Sequence, residues 1–188
     1  MNALFSAAVE IETFCAQRAW RFAIIGGLAV QRWGEPRQTR DVDVTVLTGL
    51  GGEEPFVDVL LGTFRARVPD ARRFALQNRV VLLETGNGVP IDLSLAGLPF
   101  ESRVIDRASA FQIAPGVHIT TCSAEDLVVL KAFADRVQDW LDIEGIIVRQ
   151  ATALDRGQIM MELRPLLELK EDETAGYRLH ALFDKHRD

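Results

Sequence analysis

The chain has 188 residues, 48% of them hydrophobic and 26% charged, with a formal net charge of −6. That is enough apolar material for a packed globular core. The acidic balance, with a pI of about 5.1, argues against a general nucleic-acid coat protein or a basic membrane binder, since both need a net cationic surface. The excess acid is uneven, with 12 basic and 13 acidic residues in 1–120 and 9 and 14 in 121–188.

Taken in chain order, Leu4, Ala7, Ala8, Ile11, Phe14 and Cys15 recur at helical spacing and predict a helix over 3–19. Its opening residues include Glu10 and Glu12 and no basic stretch, so no signal peptide is expected. No apolar run approaches the roughly 20 residues that cross a bilayer. Phe22–Ile25 is a short apolar run ending in Gly26-Gly27, which predicts a buried strand followed by a short helix over Leu28–Trp33. Asp41–Leu47 alternates strictly, with Asp41, Asp43 and Thr45 on one face and Val42, Val44 and Val46 on the other, the pattern of a half-buried strand.

Residues 53–67 read as a helix, 72–77 and 79–85 as strands, and Gly86-Asn87-Gly88 as the turn into a strand over Val89–Leu95. A short strand is expected within 111–121. Ser123 and Asp126 resemble a capping box opening a helix over 124–134. Trp140, Ile143, Ile146 and Ile147 mark the next helix, and two amphipathic segments follow around 158–169 and 175–186. These elements predict an α+β part over 1–120 and a helical part over 121–188 packed on it. Cys15 and Cys122 lack a CxxC partner, and His118, His180 and His186 lack zinc-site spacing. A reducing, cytoplasmic location is the expectation.

The chemistry-bearing pattern lies in 24–43 together with Asp92. Asp41 and Asp43 leave the same strand face with Cα atoms about 6–7 Å apart. Their carboxylates repel unless a cation lies between them, and hard oxygen ligands of this kind suit Mg²⁺. Asp92 sits in a second apolar strand between Ile91 and Leu93 and would complete a two-metal site. Gly26-Gly27 opens a helix whose free N–H groups favour phosphate. A solvated strand face and a plain tight turn are the alternatives for each part taken alone. No P-loop, GxGxxG, GxSxG or Cys–His pattern is present.

The stretch IIGGLAVQRWGEPRQTRDVDV, followed by Asp92 in VPIDLSL, resembles the nucleotidyltransferase superfamily with the DNA polymerase β-like fold. It is most similar to the AbiEii-type toxin nucleotidyltransferases. Arg37, Thr39, Asp41 and Asp43 fit that group's R-x-T-x-D-[IV]-D strand, and Lys131, Arg136, Asp139 and Asp142 fit its later helical motif. The resemblance implies an α+β nucleotidyltransferase fold with a mixed sheet flanked by helices. It implies Asp41, Asp43 and Asp92 as ligands of Mg²⁺ (or Mn²⁺), with Asp92 as base for the acceptor hydroxyl. Gly26 and Gly27 would cradle the triphosphate of an NTP, with Arg40, Lys131, Arg136 and Asp139 on the nucleotide side. The acceptor would be tRNA or another RNA, with an antitoxin protein as partner and no membrane.

Two other readings stand beside it. GEPRQTRDVDV is also similar to antibiotic-modifying nucleotidyltransferases, and the acidic C-terminal part suits a cationic aminoglycoside. A degenerate binding module is the third, since Leu28 stands where many superfamily members carry Ser or Thr. Three lysines against 18 arginines single out Lys131, as a phosphate ligand or a snorkelling side chain. Asp142 is read as a one-turn partner of Arg136. Arg65, Arg67, Arg72, Arg73 and Arg79 form a basic stretch that is either a patch for an RNA acceptor or a solvated face.

Overall fold

A computed structural model describes residues 2–186. The chain divides into two compact units, Met1–Leu28 with Gln38–Cys122 and Ala29–Arg37 with Ser123–Asp188.

The first unit is built on a seven-stranded mixed sheet in the order β3-β4-β5-β2-β1-β7-β6. Its strands are β1 (Phe22–Ile24), β2 (Val42–Leu47), β3 (Arg65–Ala66), β4 (Val80–Glu84), β5 (Pro90–Ala96), β6 (Ser109–Ala114) and β7 (Val117–Thr121). The central pair β2 and β5 is parallel, with Val42 beside Ile91, Asp43 beside Asp92 and Val44 beside Leu93. Strand β1 runs antiparallel to β2 on its other side. Alternation fixes this register. Val42, Val44, Val46, Ile91, Leu93 and Leu95 are all 2% exposed or less, and each stabilises the fold by about 1.5–3 kcal/mol through burial. A slip of one residue would drive Asp41 and Asp43 into that core.

The apolar face is covered by α1 (Ala3–Gln17) through Ala7, Ala8 and Ile11, and by α3 (Glu54–Leu61) through Val57 and Leu60. Asn2 caps α1 by accepting from the Phe5 N–H at 2.8 Å. The buried Cys15 and Cys122 are free thiols, and burial pushes Cys15 up to about 12, so it has no nucleophilic thiolate near neutral pH.

Three local expectations need correction. The helix expected over 53–67 ends at Leu61, where Gly62 follows as its cap; glycine is a poor helix residue, and Arg65–Ala66 instead pairs with Glu84 and Leu83 as an edge strand. The run 72–77, expected to be a strand, is helix α4 (Ala71–Asn78), bounded by left-handed Asp70 and Arg79. A short run with three central apolar residues fits either period, and the helix buries Ala75 and packs Leu76 on the core, with ion pairs from Arg72 to Glu54 and Asp58 of α3 on its exposed side. The single strand expected within 111–121 is the hairpin β6–β7, turning at Gly116 with φ +72. Helix α5 (Pro99–Asp106) was not foreseen; Glu101 accepts the Gly97 and Leu98 N–H groups at its start, at 2.7 and 2.8 Å.

Helix α2 (Gly26–Trp33) begins in the first unit and continues into the residues of the second. The second unit contains α6 (Ala124–Ala134), α7 (Val137–Gln150), a 3₁₀ turn (Ala151–Ala153), α8 (Arg156–Lys170) and α9 (Thr174–Lys185). Its core includes Leu127, Ile143, Ile146, Ile159, Leu163 and Leu179, all at most 1% exposed. Ser123 caps α6 as expected, its hydroxyl accepting from the Asp126 N–H at 3.1 Å. Residues 29–37 belong here through Arg149, which donates to the Gly34 carbonyl at 2.6 Å, and Gln150, which donates to the Trp33 carbonyl at 2.6 Å. Among the described residues, no helix is long and apolar enough to cross a membrane.

Candidate active site

The end of β1 and the starts of β2 and β5 share one edge of the sheet, and the expected acids meet there. Parallel pairing sets Asp43 directly beside Asp92, and the two-residue period returns Asp41 to the same face. One carboxylate oxygen from each of Asp41, Asp43 and Asp92 lies within 4.8 Å of the others. Three partly exposed carboxylates this close repel strongly, and an all-oxygen donor set of that size fits a hard divalent cation. Burial, the main cause, raises the Asp92 carboxyl above its ordinary range; Arg67 opposes the rise and the Asp41 charge adds to it.

The two glycines are required by close approach. Gly26 has φ +60, and a Cβ there would lie 1.8 Å from Asp43 Oδ2. At Gly27 a Cβ would lie 2.4 Å from Thr39 Oγ1. The first turn of α2 is thus laid against Asp43 and Thr39, and a helix N-terminus, whose first N–H groups lack intrahelical partners, favours an anion there. Thr39 in turn donates its hydroxyl to Asp41 Oδ1 at 2.9 Å, which fixes that carboxylate's orientation. Arg40, expected on the nucleotide side, is exposed between Thr39 and Asp41.

Arg67 is the residue sequence reasoning placed only within a basic stretch. Its Nη2 donates to Asp92 Oδ1 at 2.8 Å. The signal that could have found it is strand pairing, since Arg67, Leu82, Asp92 and Asp43 occupy one row across the sheet. The rest of that stretch is dispersed. Arg72 binds Glu54 and Asp58, Arg79 binds Glu53, and Arg65 binds Glu84.

Lys131, Arg136 and Asp139 come together in the second unit. Lys131 Nζ contacts Asp139 Oδ1 at 2.9 Å and Asp142 Oδ2 at 2.7 Å, with its side chain 6% exposed. The snorkelling alternative is therefore overturned, because the ammonium is enclosed with two carboxylates. Arg136 Nε donates to Asp139 Oδ2 at 2.6 Å. Asp142, expected to pair with Arg136 across one turn, is instead gripped by Arg37 through Nε at 2.7 Å and Nη2 at 2.8 Å. The planar guanidinium matches both carboxylate oxygens, a pairing between residues 105 positions apart that helix spacing does not reveal. Burial alone would raise Asp139, but Arg136 and Lys131 outweigh it and hold the carboxyl below its ordinary range. Asp142 is held down against burial in the same way by Arg37, Lys131 and Gln138.

No family model matches the chain, and no curated protein matches it by sequence. Among solved structures it is similar to an antigenic nucleotidyltransferase-like protein from Paracoccidioides brasiliensis, with 15% identity and a TM-score of 0.53 over 93% of this chain and 92% of that one. It is also similar to the lincosamide antibiotic adenylyltransferase LnuA in its lincomycin-bound form, with 14% identity and a TM-score of 0.51 over 77% of this chain and 98% of that one. At these identities the likeness is one of fold. The mixed sheet with its flanking helices, followed by the C-terminal helices, is therefore a nucleotidyltransferase-like α+β fold.

Proposed function

We propose that the chain is a divalent-metal-dependent nucleotidyltransferase, moving a nucleoside monophosphate from an NTP to an acceptor hydroxyl. The observation that carries this reading is the convergence of Asp41, Asp43 and Asp92 beside a helix N-terminus that only glycine can bring so close. Mg²⁺ or Mn²⁺ held by these three residues would supply Lewis-acid neutralisation of the phosphate charge, in the two-metal arrangement implied by the superfamily resemblance.

In this reading Asp92 takes the acceptor's hydroxyl proton. The acceptor oxygen bonds to the α-phosphorus, the bond from that phosphorus to the bridging oxygen breaks, and pyrophosphate leaves. Thr39 orients Asp41, and the first N–H groups of α2 bind the phosphate chain. The remaining work is positioning and electrostatics. Arg40 and Arg136, the arginines the resemblance places on the nucleotide side, have exposed side chains. Lys131 and Asp139 are assigned to the nucleotide side as the buried support that orients Arg136.

Two acceptors are argued. A toxin-like role on tRNA or another RNA, with an antitoxin partner, rests on the AbiEii-type motif, whose Arg37, Lys131, Asp139 and Asp142 form one hydrogen-bonded group. A small-molecule acceptor is favoured by the fold likeness to LnuA, whose structure holds lincomycin, and by the acidic residues 121–188. Labelled NTPs with Mg²⁺ are incubated with total RNA, a lincosamide or an aminoglycoside, and Asp41→Asn serves as control. Label on one acceptor, lost in the variant, selects that reading. Metal-linked NTP binding by calorimetry without transfer selects the binding module, and absence of both overturns the proposal.

A further inference from the structure

Arg37 grips Asp142 with its guanidinium fork, through two bonds of 2.7 and 2.8 Å. The pair between Arg67 and Asp92 is different. It has one bond, from Nη2 to Oδ1 at 2.8 Å. Arg67 Nε is buried and has no hydrogen-bond partner, a state that costs stability. The side chains of Arg67 and Asp92 are 26% and 34% exposed, so neither is merely solvated. Arg67, the residue that follows β3, lies in one row with Leu82, Asp92 and Asp43 of β4, β5 and β2, which fixes the guanidinium on the acid side of the sheet. The fork is thus held off Asp92 by its strand position, at the expense of its own Nε.

We propose that Arg67 is a positioning residue for Asp92. It claims one carboxylate oxygen and leaves the other as the single oxygen presented to the cation and the acceptor. The second consequence is electrostatic. A guanidinium charge touching the third ligand lowers the attraction of the empty triad for a divalent cation, so that the site fills firmly only when a nucleotide's own negative charge arrives with the metal. This inference rests on the nucleotidyltransferase reading of the triad.

The test measures Mn²⁺ binding to the full chain without nucleotide, by the electron paramagnetic resonance signal of free Mn²⁺. The proteins are wild type, Arg67→Met, Arg67→Lys and Asp92→Asn, each first checked for folding by its thermal melt. Arg67→Met should bind Mn²⁺ roughly three- to tenfold more tightly than wild type, because a cation has been removed beside the ligands. Arg67→Lys, which keeps the charge, should restore near wild-type affinity, and Asp92→Asn should weaken binding. If Arg67 only held Asp92 in place and its charge did not oppose the cation, the opposite sign would follow, since loosening Asp92 weakens the site. If Asp92→Asn loses Mn²⁺ while Arg67→Met binds as wild type or more weakly, the inference on Arg67 is overturned and the metal site stands. If neither wild type nor Arg67→Met binds Mn²⁺, with or without an NTP, both fall. Should Arg67→Met not fold, Arg67→Gln replaces it with the same expected sign.

Discussion

Asp41→Asn should make the metal-free protein more stable while abolishing nucleotidyl transfer. The ligand oxygens of the triad lie within 4.8 Å of one another, and at that separation two unit charges repel by about 0.9 kcal/mol in bulk water and about 3.5 kcal/mol at an effective dielectric of 20. Asp41 faces two such charges, one of them already offset by Arg67. Its side chain is partly exposed, which places the net relief at about 1–2 kcal/mol. In a chain of this size that is a rise in melting temperature of roughly 2–8 °C. An Asn oxygen still accepts the Thr39 hydroxyl that binds Asp41 Oδ1, so little else changes. Thermal melts in EDTA at low ionic strength read the rise, since salt screens the repulsion. Repeating them with Mg²⁺ should reverse the order, because binding at about 100 times Kd stabilises by about 2.7 kcal/mol and the variant loses most of it. A lower melting temperature in EDTA, or an equal response of both proteins to Mg²⁺, would refute the reasoning.

Gly26→Ala forces a left-handed backbone on alanine and a Cβ 1.8 Å from Asp43 Oδ2. Unfolding in urea should show a loss of at least about 1–2 kcal/mol, with transfer activity falling at the same time, and unchanged activity would disprove the close approach. Lys131→Met removes the shared partner of two buried carboxylates. It should cost about 3–5 kcal/mol, or roughly 6–20 °C in melting temperature; a variant melting with wild type would show that the ammonium is not a brace. Asp139 and Asp142 have carboxyls held below the ordinary range in the folded chain, so the unfolded chain binds protons first as the pH falls. Their contribution to stability is present above about pH 4 and is lost as the pH drops through the folded values. Asp139→Asn with Asp142→Asn should flatten that acid limb in unfolding titrations, and a limb of unchanged slope counts against the assignment.

The acid edge was legible because strand physics is local. DVDVTVL states its own faces, and burying the valines leaves Asp41 and Asp43 nowhere else to go. Asp92 was legible for the same reason, flanked by Ile91 and Leu93. The β3–β4 region was not, because the apolar residues of ARRFALQN are too few and too clustered over eight positions to separate the two periods, and the packing of Ala75 and Leu76 against the core is set by the rest of the fold. Arg67 stayed hidden within a basic run because its meaning comes from sitting two strands away from Asp92. Arg37 and Asp142 likewise met only through folding. Spacing along one helix favoured Arg136 for Asp142, and a neighbour 105 residues away took the position.

The two charged clusters use the same residue types to opposite ends, and the difference lies in how they are balanced. Around Lys131, three cations (Arg37, Lys131 and Arg136) enclose two carboxylates, and Asp142 takes Arg37's two-pronged grip. That arrangement depresses both acids and stabilises the charged state against burial. Around Asp92, three carboxylates are crowded together, Arg67 touches a single oxygen of one of them, and burial leaves Asp92 raised. A protein selected only for stability would replace one of those acids or bring the Arg67 fork fully onto Asp92. It has done neither, and Gly26 takes a left-handed φ that brings a helix N-terminus against the same negative group. Crowded carboxylates, a buried donor without a partner and a left-handed turn at one sheet edge are what the proposed cation and phosphate chain would complete, which is why stability and activity are expected to move in opposite directions at Asp41.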